Sequence, residues 1–427
     1  MDNICGSSII CLGATAIVIL LGCAFKVENL LLYMLANIPF FNILNYKTGT
    51  TSMFYLLIIV FVVKYYFSKH EHYKIRTKTL IIAVLVLFSL YNLSAFETYI
   101  KWVLKFIPVI LIYKEEWLYN NMPKTITYLT ISAIISSAMG YILLNADKYL
   151  YTGSYVYSNG SSATRFAGLI GDSLVYSQFI LIVMACNLIK IEKYKCNKTL
   201  CMLAIVILIA FGFFTYSKTY IALMLFTVFF YLIYKLVQYV REKKSYKFII
   251  FCIICLIGCV IAVNYIAQNS SGNMISSYIT RFTSSDLLTG RSEIYARFIN
   301  LWKENPQVLI VGIGFEKYIE PYNNGTCQYS HNIYIETISL FGVLVFCILA
   351  IFIVKAIISY FVKKGDIIYL LPILILAISG FVLHGHLEFG YYFNIILAII
   401  FFNLGKEEAL NCNIKKKEEH KCLNKKN

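Results

Sequence analysis

Charge is what this sequence has least of. Only 14% of its 427 residues are charged, against 59% hydrophobic and a mean hydropathy of +0.70. That balance excludes a soluble globular chain, whose surface takes about a quarter of its residues as charged ones. The opening residues MDNICGSS have no basic stretch and no small-residue cleavage site, so no removable signal is expected. Internal repeats of about 20–50 residues are absent too, which excludes solenoids and propellers. The run VGIGF lacks the third glycine and the strand–helix setting of a dinucleotide fingerprint, so a structural turn at Gly312 and Gly314 is expected there. Cysteines number 13, yet none shows metal-ligand spacing in a suitable setting. Even Cys252-Ile-Ile-Cys255, with Cys259 nearby, lies in an unbroken apolar run, where small polarizable core residues explain it better than zinc.

What the sequence does have is apolar runs, most of them about 17–22 residues long and sufficient to cross a bilayer core. They fall near 7–25, 30–45, 52–67, 79–95, 98–113, 125–145, 173–190, 199–216, 219–238, 248–267, 334–357, 367–383 and 390–404. Two are weak: 30–45 is short and contains Pro39, and 98–113 carries Lys101 and Lys105. The expectation is an all-α integral membrane protein with about 11–13 transmembrane helices and one long extracytoplasmic loop. Residues 1–405 form the membrane domain, and 406–427 a disordered basic tail rich in Lys, Glu and Asn.

A formal charge of +16 would suit a nucleic-acid partner, but its distribution argues against one. Lysines and arginines gather in short loops: Lys69 to Lys78, Lys190 to Lys198, Lys235 to Lys247, Lys363-Lys364, and Lys415 to Lys426 in the tail. Cytoplasmic loops carry such an excess, so these loops and the C-terminus are expected in the cytoplasm. Segments 146–172, 268–333 and 384–389 and the turn at Ser217-Lys218 then fall outside. The stretch 268–333 is the longest outside the spans, carries as many acidic as basic residues, and is where function is expected. Within it TGRSEIYARFINLWKENP reads as a helix: Ile294, Phe298 and Leu301 share a face, Thr289-Gly290 suit its start, and Asn305-Pro306 stop it. Its apolar face, with Trp302, would lie on the membrane surface or on the bundle.

Several polar groups share the outer face: Arg165, Lys218, Arg281, Arg291, His331 with Asn332, Glu336, and the cluster His384, His386 and Glu388. Each has a plain reading. Arginines near helix ends snorkel to lipid phosphates, Lys218 anchors an interface, and His331 beside Asn332 caps the next span. The two histidines with Glu388 form a polar turn rather than a metal site. An intramembrane carboxylate such as Glu336 is costly unless it faces a polar cavity. Together the set suits chemistry. Arginines bind phosphate bidentately, Arg291 would sit in a first helical turn that favours anions, and an unperturbed histidine can take a proton near neutral pH. The outer loops hold no Asp-x-Asp, so nothing points to a metal-bound nucleotide-sugar.

GRSEIYARFINLW, then VGIGF, then SHNIYIETISLFG resemble the signature of the bacterial O-antigen polymerase and ligase superfamily. TRFAGLIGDS with Arg165, and the turn at Lys218, also fall where that family carries basic residues; lysine for the usual arginine at 218 is a departure. The resemblance spans about 160–345 and is topological elsewhere. It implies a metal-independent, cofactor-free glycosyltransferase of the C-type membrane architecture, in the bacterial plasma membrane. The donor would be a glycan on undecaprenyl diphosphate, and a flippase and a chain-length regulator of the same pathway would be partners. Arg165 and Arg291 would hold the diphosphate and His331 would be the base. Lys218, Asn332, Glu336, Arg281, His384 and His386 would contact substrate. A repeat-unit polymerase is the expectation. A ligase, or a transporter of lipid-linked oligosaccharide, is the alternative; a transporter would show mid-span charges or a two-fold repeat, and neither is evident.

Overall fold

Inside a hydrocarbon layer a chain has to satisfy its own N–H and C=O groups, and long apolar runs do so as helices. A computed structural model describes residues 8–40, 53–68, 96–112, 116–145, 153–156, 162–241, 291–323, 329–383, 394 and 397–405. The first half holds α1 (Ser8–Ala24), α2 (Val27–Ala36), α3 (Met53–Ser68), α4 (Phe96–Ile112) and α5 (Glu116–Asn145). An antiparallel hairpin follows, β1 (Gly153–Val156) with β2 (Ser162–Arg165), pairing Gly153 with Arg165. Then come α6 (Ser173–Lys193), α7 (Lys198–Phe213), α8 (Lys218–Arg241), α9 (Arg291–Glu304), α10 (Pro306–Val311), α11 (Gly314–Asn323), α12 (Ile333–Val362) and α13 (Leu371–Ser379). A last helical segment occupies 397–405. The protein is an all-α membrane protein, interrupted only by this small hairpin among the described residues.

Four described stretches are long and apolar enough to span a membrane: Asn120–Leu143, Ser173–Lys193, Lys218–Val240 and Ile333–Val362. Shorter apolar helices accompany them at Val27–Ala36, Tyr55–Ser68, Lys198–Phe213 and Ile367–Ser379. The expected spans 79–95 and 248–267 and the tail 406–427 lie outside the described residues. Two expected spans are shorter than their apolar runs. The run 30–45 leaves the α-helix at Ala36 and passes into a 3-10 turn, Ile38–Phe40, at Pro39, which has no N–H to continue the ladder. The run 367–383 opens as a 3-10 turn, Ile367–Leu370, capped by Asp366, and its α-helix stops at Ser379.

Helix α6 is the axis of the bundle. Nearly every residue from Ser173 to Ile191 is buried, and it packs against α5, α7, α8 and α13. Lipid tails are as apolar as leucine, so close packing and polar links hold such an assembly better than hydrophobicity does. The links are present: Asn187 donates from Nδ2 to Thr130 Oγ1 at 2.8 Å, and Asp172 caps the helix start through Leu174 and Val175 N–H.

The polar links sort the helix termini into two ends. At one end Lys193 pairs with Asp366, Lys235 with Glu192 at 2.6 Å, and Lys190 Nζ donates to Thr127 Oγ1 at 2.6 Å. Lys64 there donates to the Cys23 and Phe25 carbonyls that close α1. At the opposite end Phe166 N–H meets Phe214 C=O, and Ile333 N–H meets Gly380 C=O. The basic loops at 190–198 and 235–241, expected on one face, do share one end.

Helices α9, α10 and α11 turn half of the long loop, 291–323 of 268–333, into a packed structure. Ile294 and Phe298 of α9 form a second core with Tyr99 and Val103 of α4, Phe315 and Tyr318 of α11, and Leu340 and Phe341 of α12. The apolar face of α9 therefore lies on the bundle, settling an alternative that the sequence left open. Asn305 and Pro306 end α9 as expected, with Pro306 opening α10 at the position where its missing N–H costs nothing. Beyond Gly312 the expected turn occurs, but Gly314 begins the helix α11, which the sequence reading took as loop.

Helix α12 is two pieces. Gly342 has φ 81°, and its backbone lies against the Ile310 carbonyl of α10; Gly312, at φ 79°, lies reciprocally against the Leu340 carbonyl. Only glycine allows two backbones this close with those torsions. Ile313 N–H closes the crossing on Ser339 C=O at 2.8 Å. Before the break Glu336, Thr337 and the residues from Ser339 to Gly342 are buried; beyond it Leu344, Ile348 and the residues from Ile351 to Val354 are exposed.

Candidate functional site

The end of the bundle away from Lys193 and Lys235 carries the site residues, in two neighbouring groups. The first is built on the turn between α7 and α8. Its geometry is fixed by small hydroxyl bonds: Thr215 Oγ1 donates to Gly212 C=O at 2.7 Å, and Ser217 Oγ accepts from Tyr220 N–H at 3.2 Å, capping α8. Tyr216 between them takes a left-handed conformation, φ 48°. Arg165, the last residue of β2, donates from Nε to the Thr215 carbonyl at 3.3 Å, and Phe166 N–H binds Phe214 C=O at 3.1 Å. Phe166 itself is wedged between Tyr176 and the rings of Phe211 and Phe214. Two basic residues 53 positions apart, Arg165 and Lys218, are thus held on one turn, both half-buried.

The second group surrounds His331. Ser330 and Asn332 are buried on either side, while His331 is half-buried with φ 47°. Left-handed backbone is uncommon outside glycine, with Asn, Asp and His the most tolerant, and such strain persists where the surroundings over-determine it. Here they do. Tyr318 O–H donates to Ser330 Oγ at 3.1 Å and accepts Ser330 N–H at 3.2 Å; Ser330 Oγ donates to Asn332 C=O at 3.0 Å. The cap of α12 is Asn332, whose Oδ1 accepts from Tyr334 and Ile335 N–H at 2.9 and 3.2 Å. The capping role weighed for His331 belongs to its neighbour. Glu336, fully buried in the first turn of α12, is placed where the helix dipole favours an anion.

Arg291 opens α9, half-buried, in the first turn as expected. One turn on, Tyr295 O–H donates to the Phe381 carbonyl at 2.9 Å. Residues four apart share a helix face, so Arg291 stands on the side of α9 that meets the end of α13. The start of α12 meets the same place: Ile333 N–H binds Gly380 C=O at 2.8 Å, Tyr334 O–H binds Ala377 C=O at 2.6 Å, and the Tyr334 and Phe381 rings lie 4.6 Å apart. The start of α9, which bears Arg291, and the start of α12, which follows His331, thereby meet at one helix terminus. Arg281, His384, His386 and Glu388 lie outside the described residues. Among the described residues no three of His, Cys, Asp or Glu gather as a metal site.

Sequence reasoning missed Tyr295, Tyr334, Tyr318, Gln178 and Ser379, all of which fix the site. Gln178 carried a usable signal, being an amide inside an apolar run, where polar side chains are rare and partnered. Tyr295 carried another, four residues after Arg291.

No curated protein and no solved structure matches this chain. A family model described as O-Antigen ligase matches residues 203–350, which run from α7 through the α7–α8 turn, α9 to α11 and the first half of α12. Members of that family are glycosyltransferase-like enzymes. Through this segment, which contains Lys218, Arg291, His331 and Glu336, the chain is similar to the O-antigen ligase family, in line with the O-antigen polymerase and ligase resemblance.

Proposed function

We propose that the protein polymerises lipid-linked oligosaccharide repeat units into a surface polysaccharide, a capsule, O-antigen or similar glycan. The observation that carries this reading is His331, held in strained backbone between two buried neighbours, inside the matched segment that also holds Arg291 at the start of α9. His331 takes the proton of an acceptor hydroxyl. The freed oxygen attacks the anomeric carbon of the growing chain as its bond to the diphosphate breaks. The bonding pair stays on the phosphate oxygen, giving undecaprenyl diphosphate, and Arg291 and Arg165 offset the charge that develops there. Guanidinium groups supply in this scheme what a metal ion supplies elsewhere, and no cofactor takes part. Lys218, on the turn that holds Arg165, adds a point charge where a forked contact is the family's usual choice. Arg281, His384 and His386 are proposed as further substrate contacts. The family description favours a second reading, ligation, in which the same donor half meets another acceptor. Purified protein given only lipid-linked repeat units separates the two: a polymerase lengthens them, and a ligase needs the second acceptor.

The arginines give a direct test. Arg→Lys keeps the charge and loses the fork, so Arg291→Lys should slow transfer about 10–100-fold, the worth of one charge-assisted hydrogen bond at about 1.5–3 kcal/mol. Arg165→Lys should act in the same direction, with membrane levels of both variants unchanged. Parental polymer lengths from both would reduce the two residues to lipid anchors.

The reading also needs this end of the bundle to face outward in the plasma membrane, with the basic end and the tail in the cytoplasm. Cysteine at exposed Glu316, in a background without accessible native thiols, should react with a membrane-impermeant thiol reagent in intact cells. Cysteine at Lys364, near Asp366, should react only after lysis. The reverse pattern would turn the protein over and remove the site from its substrate.

A further inference from the structure

The end of α13 is a meeting point of a kind its neighbours are not. A helix ends with carbonyls that no N–H of its own can reach. Here three of them, on Ala377, Gly380 and Phe381, receive Tyr334 O–H, Ile333 N–H and Tyr295 O–H from two other helices. The terminus is itself fastened from behind. Gln178 Nε2 of α6 donates to Ser379 Oγ, Ser379 Oγ donates to Leu376 C=O at 3.0 Å, and Asn394 Nδ2 donates to Gln178 Oε1 at 2.6 Å. Gln178, Ser379 and Asn394 are all buried, so this chain of bonds is shielded from water and holds the terminus to the centre of the bundle.

From this arrangement we infer that Tyr295 is a positioning residue for Arg291. Ile294 and Phe298 attach α9 to the second core, but apolar contact is non-directional and leaves the helix free to roll. The Tyr295 hydroxyl removes that freedom, because a hydrogen bond to a fixed carbonyl sets the rotation of α9 about its own axis. Arg291, on the same face one turn earlier, is aimed by that rotation. His331 is aimed by the same terminus through Ile333. One helix end therefore registers the diphosphate-binding group against the proton acceptor, although they come from helices 40 positions apart in the chain.

The inference rests on the proposed transfer reaction for its kinetic consequence and on geometry alone for its structural one, so both are measured. Tyr295→Phe keeps the ring and deletes only the hydroxyl, which lies in an exposed bond, so membrane level and thermal midpoint should stay parental. Hydrogen exchange in the second turn of α9, from Tyr295 to Phe298, should rise in the detergent-solubilised full chain. For transfer, KM for the lipid-diphosphate donor should rise about 5–10-fold with kcat little changed, since alignment of a binding group is what is lost. In the Arg291→Lys background the same substitution should add almost nothing, because the group that it aims is already gone. Unchanged exchange in α9 would overturn the inference whatever the enzyme's activity. Multiplying effects of the two substitutions would overturn it as well, showing that Tyr295 acts independently of Arg291. A parental protein that transfers no glycan while α9 still loosens would count against the proposed function and leave the anchoring in place.

Discussion

Changing His331 to asparagine should lower the rate of glycan transfer by on the order of 10²–10⁴-fold, the usual contribution of a positioned proton acceptor. Asparagine is the informative replacement for a structural reason. It tolerates left-handed backbone at least as well as histidine, so φ 47° is not disturbed. The helix cap is untouched as well, since Asn332 supplies it and Ser330 and Tyr318 hold the approach. What is lost is the imidazole. Asparagine accepts no proton at neutral pH, and so the variant separates chemistry from architecture. Assay of purified variants on lipid-linked repeat units, with thermal melting beside it, checks the result. Transfer at the parental rate would end the role of His331 as base and leave the strained turn unexplained.

The second large effect is on folding. Gly342→Ala would place a Cβ 2.1 Å from the Ile310 carbonyl oxygen and 2.7 Å from Val311 Cα, both backbone atoms that cannot rotate aside. Left-handed φ adds roughly 1–2 kcal/mol for any residue with a Cβ. The total destabilisation should reach about 3 kcal/mol or more, large for one methyl group. Gly312→Ala meets the Leu340 carbonyl oxygen at 2.3 Å from the other side of the same crossing and should cost a similar amount. Because both methyls wedge one contact, the double variant should lose less than the sum. Membrane abundance and the melting midpoint report the outcome. A Gly342→Ala protein melting with the parent would mean that α10 and α12 do not cross this closely.

Much of the architecture was legible because hydropathy and helical period are local. The face of α9 is an example: Ile294, Phe298 and Leu301 announce it, and Asn305-Pro306 announce its end. The break in α12 was not legible, because its apolar run continues through Gly342 and hydropathy carries no torsion angle. Helix α11 escaped because Glu316, Lys317 and Glu320 dilute its apolar residues to the level of a loop. At the site, sequence pointed to Arg165, Arg291 and His331 by residue type. It could not show what holds them. Gln178 and Asn394 are 216 positions apart, and Tyr295 reaches Phe381 over 86. A side chain's preference for a partner is written locally, but the partner's identity is a property of the packed bundle.

The brevity of α13 has a consequence for where water must be. If α6, with 21 residues, spans a hydrocarbon core about 30 Å thick, then Gln178 lies roughly 8 Å inside the boundary at the helix's N-terminal end, at about 1.5 Å of rise per residue. Ser379 is bonded to Gln178, so α13 stops at that depth rather than at the surface. The tyrosine hydroxyls that meet its last carbonyls thus stand in for solvent below the headgroups. The place where α9, α12 and α13 meet is then sunk into the membrane's own thickness. Under the proposed reaction, a sugar diphosphate arriving on a lipid tail would have to dip to meet it, and an acceptor that cannot leave bulk water would not reach.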